Sequence, residues 1–171
     1  MPPATAASAE HEAPHPMPWT DLLSADRIVM LVDPGSPAQV LDAAARLLSD
    51  GSPASTRVLA DALRQRERLG STGIGHGVAI PHARSSAFHA PRGAFLRLGR
   101  PVDFGARDGE PVDLVFAMSA TDDMPEQHLH YLAGVAERFA DPGFRDRLRM
   151  ARSLERLRRV LLAPAPAANA A

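Results

Sequence analysis

The spacing of apolar and polar positions changes along the chain and divides it into alternating elements. Residues 35–51, GSPAQVLDAAARLLSDG, read as a helix with Ser36 as N-cap, Pro37 at the first helical position and Gly51 past the end. Residues 52–70, SPASTRVLADALRQRERLG, read as a second helix that stops at Gly70. A short continuous apolar run, GVAIP at 77–81, fits a buried strand. GAFLRLG at 93–99 and PVDLVFAMSA at 111–120 are two more strands. A helix begins at Pro125 in PEQHLHYLAGVAERFA, and SLERLRRVLLA is a closing amphipathic helix capped by Ser153. Interleaved helices and strands predict an α/β layer fold.

Composition narrows what such a fold can do. The chain has 171 residues, the size of one domain, and is 45% hydrophobic, enough for a core. A net charge of −1 gives no electrostatic footprint for nucleic acid. With no cysteine there is no disulfide, thiolate metal site or Cys nucleophile. All 19 basic residues are arginine, which removes Schiff-base chemistry and a lysine-dependent P-loop. Residues 1–18 and 163–171 are Pro/Ala-rich, lack a periodic apolar pattern and read as disordered tails around a domain at 19–162. The N-terminus lacks the basic and apolar regions of a signal peptide, and no stretch approaches the 18 or so apolar residues of a membrane span. A cytoplasmic protein without membrane contact is expected.

Candidate chemistry gathers at GSTGIGHGVAIPHAR, residues 70–84. Four glycines precede the apolar run, and His82 follows Pro81 directly. The glycines follow a helix and precede a strand, so they are neither a P-loop nor a dinucleotide fingerprint. Pro81 fixes its own backbone angle and holds Ile80 extended, which launches the His82 ring from a stiff base at a strand end. Ligands of α/β sheets bind at strand ends. A plain loop histidine, satisfied by water or backbone, fits the same position. In the helix from Pro125, residues Leu129, Leu132, Val135, Ala136 and Phe139 share one face at 100° per residue. His128 lies at the edge of that face and His130 points away from it. A zinc site from His76, His82 and His128 lacks ligand spacing, so no metal is expected. His11, His15 and His89 carry no signal. TDDMPEQ, at 121–127, is an acidic loop or a rim around a docking face.

Taken together, Glu67, Ile74-Gly75 and Val78-Ala79-Ile80-Pro81-His82-Ala83 resemble the signature of the type-2 IIA domains of the bacterial phosphotransferase system. RERLGSTGIGHGVAIPHAR looks most like the nitrogen-regulatory branch, and the resemblance runs over about residues 19–162. It implies a mixed sheet with helices on both faces. It implies that His82 accepts a phosphoryl group from a histidine phosphocarrier protein, with Arg66 and His128 assisting and no cofactor. Ser71, Thr72 and Gly73 are then candidate phosphoryl-binding donors, or simply the turn. Arg66 has its own plain reading, one of three basic residues on a solvated helix end. A phosphorylated His82 beside apolar Ile74, Val78 and Phe88 would switch partners by electrostatics. The function implied is a phosphotransferase component that regulates partners by its phosphorylation state. A sugar-transport IIA component relaying to a separate IIB protein is the alternative, and a silent binding module is a third. The second would hand its phosphoryl group to another chain, since this one has no cysteine.

Overall fold

The structure is a computed structural model and describes residues 18–88 and 90–164. The expectations for the two tails fall almost entirely outside these residues, as do His11, His15 and His89. Five helices and six strands form among the described residues: β1 (Ile28–Leu31), α1 (Pro37–Leu48), α2 (Pro53–Leu69), β2 (Gly73–Gly75), β3 (Val78–Ala79), β4 (His82–Arg84), β5 (Arg92–Val102), β6 (Val112–Ala120), α3 (Pro125–Phe139), α4 (Pro142–Met150) and α5 (Leu154–Leu162). The expected caps are present: Ser36 Oγ accepts from Gln39 N–H and Ser153 Oγ accepts from Arg156 N–H. Each satisfies a helix-end donor that would otherwise lack a partner.

The strands make one mixed sheet in the order β1-β5-β6-β3-β2, with β4 also pairing β6. β5 and β6 are antiparallel, whereas β1 runs parallel to β5, and β3 and β4 run parallel to β6. β6 is buried on both sides, which is why it reads as a near-continuous apolar run. Its Val112, Val115 and Ala117 pack with Val40, Leu41, Leu59 and Leu63 of α1 and α2. Its Leu114, Phe116 and Met118 pack on the other face with Tyr131, Val135, Phe144 and Leu157 of α3, α4 and α5. Helices therefore cover both faces, and each large apolar side chain buried this way contributes about 1.5–3 kcal/mol.

Two elements had no counterpart in the hydrophobic pattern, and two others differ from it. β1 is only four residues long, and α4 starts from an Asp141 cap and Pro142 in an arginine-rich stretch. The glycine-rich segment is not all loop: Gly73–Gly75 forms β2, hairpinned to β3 through His76 and Gly77. The expected strand at 77–81 is broken. β3 ends at Ala79, and pairing to β6 resumes at His82. Pro81 has no N–H to give, but its carbonyl still accepts from Met118 N–H at 2.9 Å. His82 thus opens a strand instead of following one.

Candidate functional site

β4 pairs only with β6 among the described residues, so its outer edge is open. The C-terminal half of α2 and the first turns of α3 flank that edge and make a cleft. Arg66 and Leu69 of α2, His82 and Arg84 of β4, Asp122, and Pro125, His128 and Leu129 of α3 line it. The three residues of β4, which runs parallel to β6, thus form the floor, with His82 at the strand's start.

Two hydrogen bonds fix the state of the His82 ring. Nδ1 lies 2.8 Å from the Ile80 carbonyl, which can only accept, so Nδ1 carries the proton. Arg66 Nε, which can only donate, lies 3.3 Å from Nε2, so Nε2 presents its lone pair to the cleft. Burial pushes the His82 pKa down, the Ile80 hydrogen bond pulls it back, and the Arg66 charge lowers it further. The neutral form of the ring is therefore favoured, with Nδ1 protonated and the Nε2 lone pair directed at the Arg66 guanidinium in the cleft.

Arg66 is held by the end of its own helix. Its Nη1 donates to Gly70 O at 2.7 Å, which aims the rest of the guanidinium at His82. Glu67, next along, turns inward and accepts from both Thr72 N–H (3.0 Å) and Thr72 Oγ–H (2.6 Å). That bracket folds the chain back at the end of α2 and brings Arg66 opposite β4. His128 is only 4% exposed, and its ring centroid lies 5.4 Å from that of His82. Its Nδ1 is buried without a hydrogen-bond partner. Burial, followed by the His82 and Arg84 charges, lowers its pKa to about 4.

Residues 21–163 match the profile of the family described as "Phosphoenolpyruvate-dependent sugar phosphotransferase system, EIIA 2". The chain belongs to this family. It is 38% identical over 153 residues to a nitrogen regulatory protein of Bradyrhizobium diazoefficiens, covering 89% of this chain and all of that one. It is 39% identical over 142 residues to a nitrogen regulatory protein of Pseudomonas aeruginosa, covering 82% and 92%. The crystal structure of the nitrogen regulatory protein IIA-Ntr from Neisseria meningitidis superposes with a TM-score of 0.77 at 36% identity, covering 83% of this chain and 97% of that one. The α/β fold with a mixed sheet is that of the type-2 IIA proteins.

The structure brings His82, His128 and Arg66 together and directs other residues elsewhere. Ser71, Thr72 and Gly73 do not line the cleft. Their donors are already engaged: Ser71 Oγ–H bonds Phe104 O, Thr72 bonds Glu67, and Gly73 N–H bonds Ser71 Oγ. They build the turn that places Arg66. Val78 is fully buried in the core and faces no partner. Phe88 lines a separate pocket beside Leu59 and Arg92, and Ile74 is exposed outside the cleft. His76 sits in the β2–β3 turn beside Asp108 and Arg149, away from the other two histidines. The apolar rim consists instead of Leu69, 81% exposed, and Leu129, 64% exposed. Leu129 was expected on the inner face of α3, but that face is His128, Tyr131, Val135 and Phe139. His130 is exposed, as its angle implied. Asp122, from the acidic stretch, reaches the cleft rim. Arg84 was missed, although its position two residues after His82 on a strand would have put it on the same side.

Among the described residues, no helix is long and apolar enough to cross a membrane.

Proposed function

We propose that the protein is a phosphoryl-accepting regulator of the nitrogen-related phosphotransferase branch, modified on His82 Nε2 by a histidine phosphocarrier protein. The observation that carries this is the ring state of His82: Nδ1–H held by Ile80 O, and the Nε2 lone pair turned to the cleft beside Arg66. Phosphoryl transfer between nitrogens needs position and charge stabilisation more than covalent help from the protein. The P–N bond on the carrier ring breaks and its electron pair returns to that ring. The Nε2 lone pair forms the new bond, and the His82 ring takes up the positive charge while Nδ1 keeps its proton against Ile80. A guanidinium such as that of Arg66 can hold two phosphoryl oxygens. His128 lines the same cleft beside the His82 ring, which puts it in position to assist, although its unpartnered Nδ1 is itself buried.

The modified ring brings a phosphoryl charge of about −1.5 to −2 to a rim that is otherwise apolar. A partner that packs on Leu69 and Leu129 would then have to bury a dianion, which is unfavourable unless it supplies a cation. Regulation by phosphorylation state follows, with little change in fold. This reading has the exchange take place in the cytoplasm, where phosphoenolpyruvate is made.

Incubation with enzyme I, the histidine phosphocarrier and phosphoenolpyruvate should give an acid-labile, base-stable adduct. His82→Ala should abolish it, Arg66→Ala should slow it, and His130→Ala should behave as wild type. Labelling of His82→Ala to the wild-type extent would remove the assignment. Equal affinity of every captured partner for both forms would remove regulation and leave phosphoryl relay to a IIB protein.

A further inference from the structure

Arg66 alone does not balance a phosphoryl group on His82. In the unmodified state its Nη1 donates to Gly70 O and its Nε to His82 Nε2; phosphorylation uses that Nε2 lone pair and frees the Nε–H, so Arg66 can take two phosphoryl oxygens but brings a single positive charge. The phosphoryl group has three strong acceptor oxygens and a charge of about −1.5 to −2. A second cation lies at the same cleft with no assigned task.

We propose that Arg84 is a second phosphoryl-binding arginine, which together with Arg66 neutralises the phosphohistidine. The inference rests on the reading of His82 as the acceptor. On β4, Ala83 is buried in the core with α1 and α2 and only borders the cleft, whereas the more exposed His82 and Arg84 flank it two residues apart, on the same side of the strand, and both line the cleft. Arg84 lies close enough for its charge to act on both the His82 and His128 rings. Several other arginines of the molecule are committed. Arg64 pairs with Asp42, Arg149 with Asp113, and Arg97 with the Leu148 and Ala151 carbonyls. Arg84 has no hydrogen-bond or ion-pair partner among the described residues, and it is exposed. An unpaired guanidinium two residues from a nucleophilic ring is a ready counter-ion. Its planar fork fits phosphoryl oxygens two at a time. In the unmodified state it helps keep His82 neutral; in the modified state the same charge becomes an attraction. The backbone of β4 fixes its distance from the ring, since pairing of His82 with Met118 and of Arg84 with Ala120 holds both residues in one register.

The test is the equilibrium distribution of phosphoryl group between the protein and its histidine phosphocarrier, read by phosphorus NMR after charging with enzyme I and phosphoenolpyruvate. A merely structural arginine would not move this equilibrium. Loss of a charge-assisted bidentate contact predicts that Arg84→Ala shifts it toward the carrier by roughly tenfold, and that Arg84→Lys recovers most of the shift. Circular dichroism and thermal midpoint should match wild type, because the side chain is exposed. A shift below about threefold, or one that lysine does not recover, overturns the inference while wild type still labels on His82. An unlabelled wild type, or a labelled His82→Ala, overturns the acceptor reading and this inference with it.

Discussion

Burial sets the charge of both cleft histidines, and the sign of the effect has a measurable consequence. His128 has a folded pKa of about 4 against an ordinary 6.5 when unfolded, and His82 is shifted in the same direction. Between those values the unfolded chain binds more protons than the folded one, so stability rises with pH across the window and is lost as pH falls through it. The carboxylates of Asp26, Asp50 and Asp108 are shifted down from 3.8, so they titrate below this window and do not obscure it. Urea midpoints measured from pH 7 to pH 4.5 should therefore fall. In His128→Gln, which keeps a polar side chain but cannot titrate, the fall should be visibly shallower. An identical slope in that variant would mean His128 is not the group responsible. The downward shift of His82, caused first by burial, favours its neutral and hence nucleophilic form.

At the scale of elements, the β2–β3 turn shows how a segment outside the cleft supports it. Gly77 sits at φ +76°, and a Cβ there would lie 2.5 Å from Arg149 Nη2 and 2.8 Å from Asp113 Oδ1. Arg149 also donates to His76 O at 2.6 Å, which ties the turn to α4. Gly77→Ala combines backbone strain with displacement of that ion pair, a loss of about 1–3 kcal/mol. The thermal midpoint should drop by roughly 3–8 °C, with His82 labelling unchanged at 25 °C. A midpoint equal to wild type would show that Arg149 can move aside freely. The starts of α1, α2, α3 and α5 were legible in the chain because a cap or Pro at the first position is local chemistry, but the same signals at Asp141-Pro142 open α4 in a stretch with too little apolar pattern to mark a helix. The inner face of α3 was legible at Leu132, Val135, Ala136 and Phe139, but hydrophobicity alone favoured Leu129 over His128 and Tyr131. Leu129 is exposed because it faces the cleft, and His128 is buried because it does too: the site inverts the usual rule at both positions. β4 was illegible as a strand, since His82-Ala83-Arg84 has no apolar pattern and exists through pairing with β6. Ser71, Thr72 and Gly73 were recognisable as turn residues. Their partners Glu67 and Phe104 became visible only in three dimensions.

For the whole molecule, β6 is the member that every other part of the sheet and both cores depend on. It bears β5 along one edge, β3 and β4 along the other, and a helical layer on each face. That arrangement implies an order in time. β5 and β6 are neighbours in sequence and antiparallel, and the connection between them, residues 103–111, closes quickly. β4 joins β6 in parallel across a longer stretch of chain, has no second neighbour among the described residues and is held by three residue pairs. β4 is therefore the late arrival on a template already built, and the first piece to let go. Amide exchange should be slowest at Phe95, Leu96, Val115 and Phe116, and faster by orders of magnitude at Ala83 and Ser85. Equal protection across β4 and β5 would instead mean that the sheet opens only as a whole. If the order holds, the histidine proposed as the acceptor rides on the least durable part of the sheet, and a docking partner that clamps β4 lengthens the lifetime of the site it came to use.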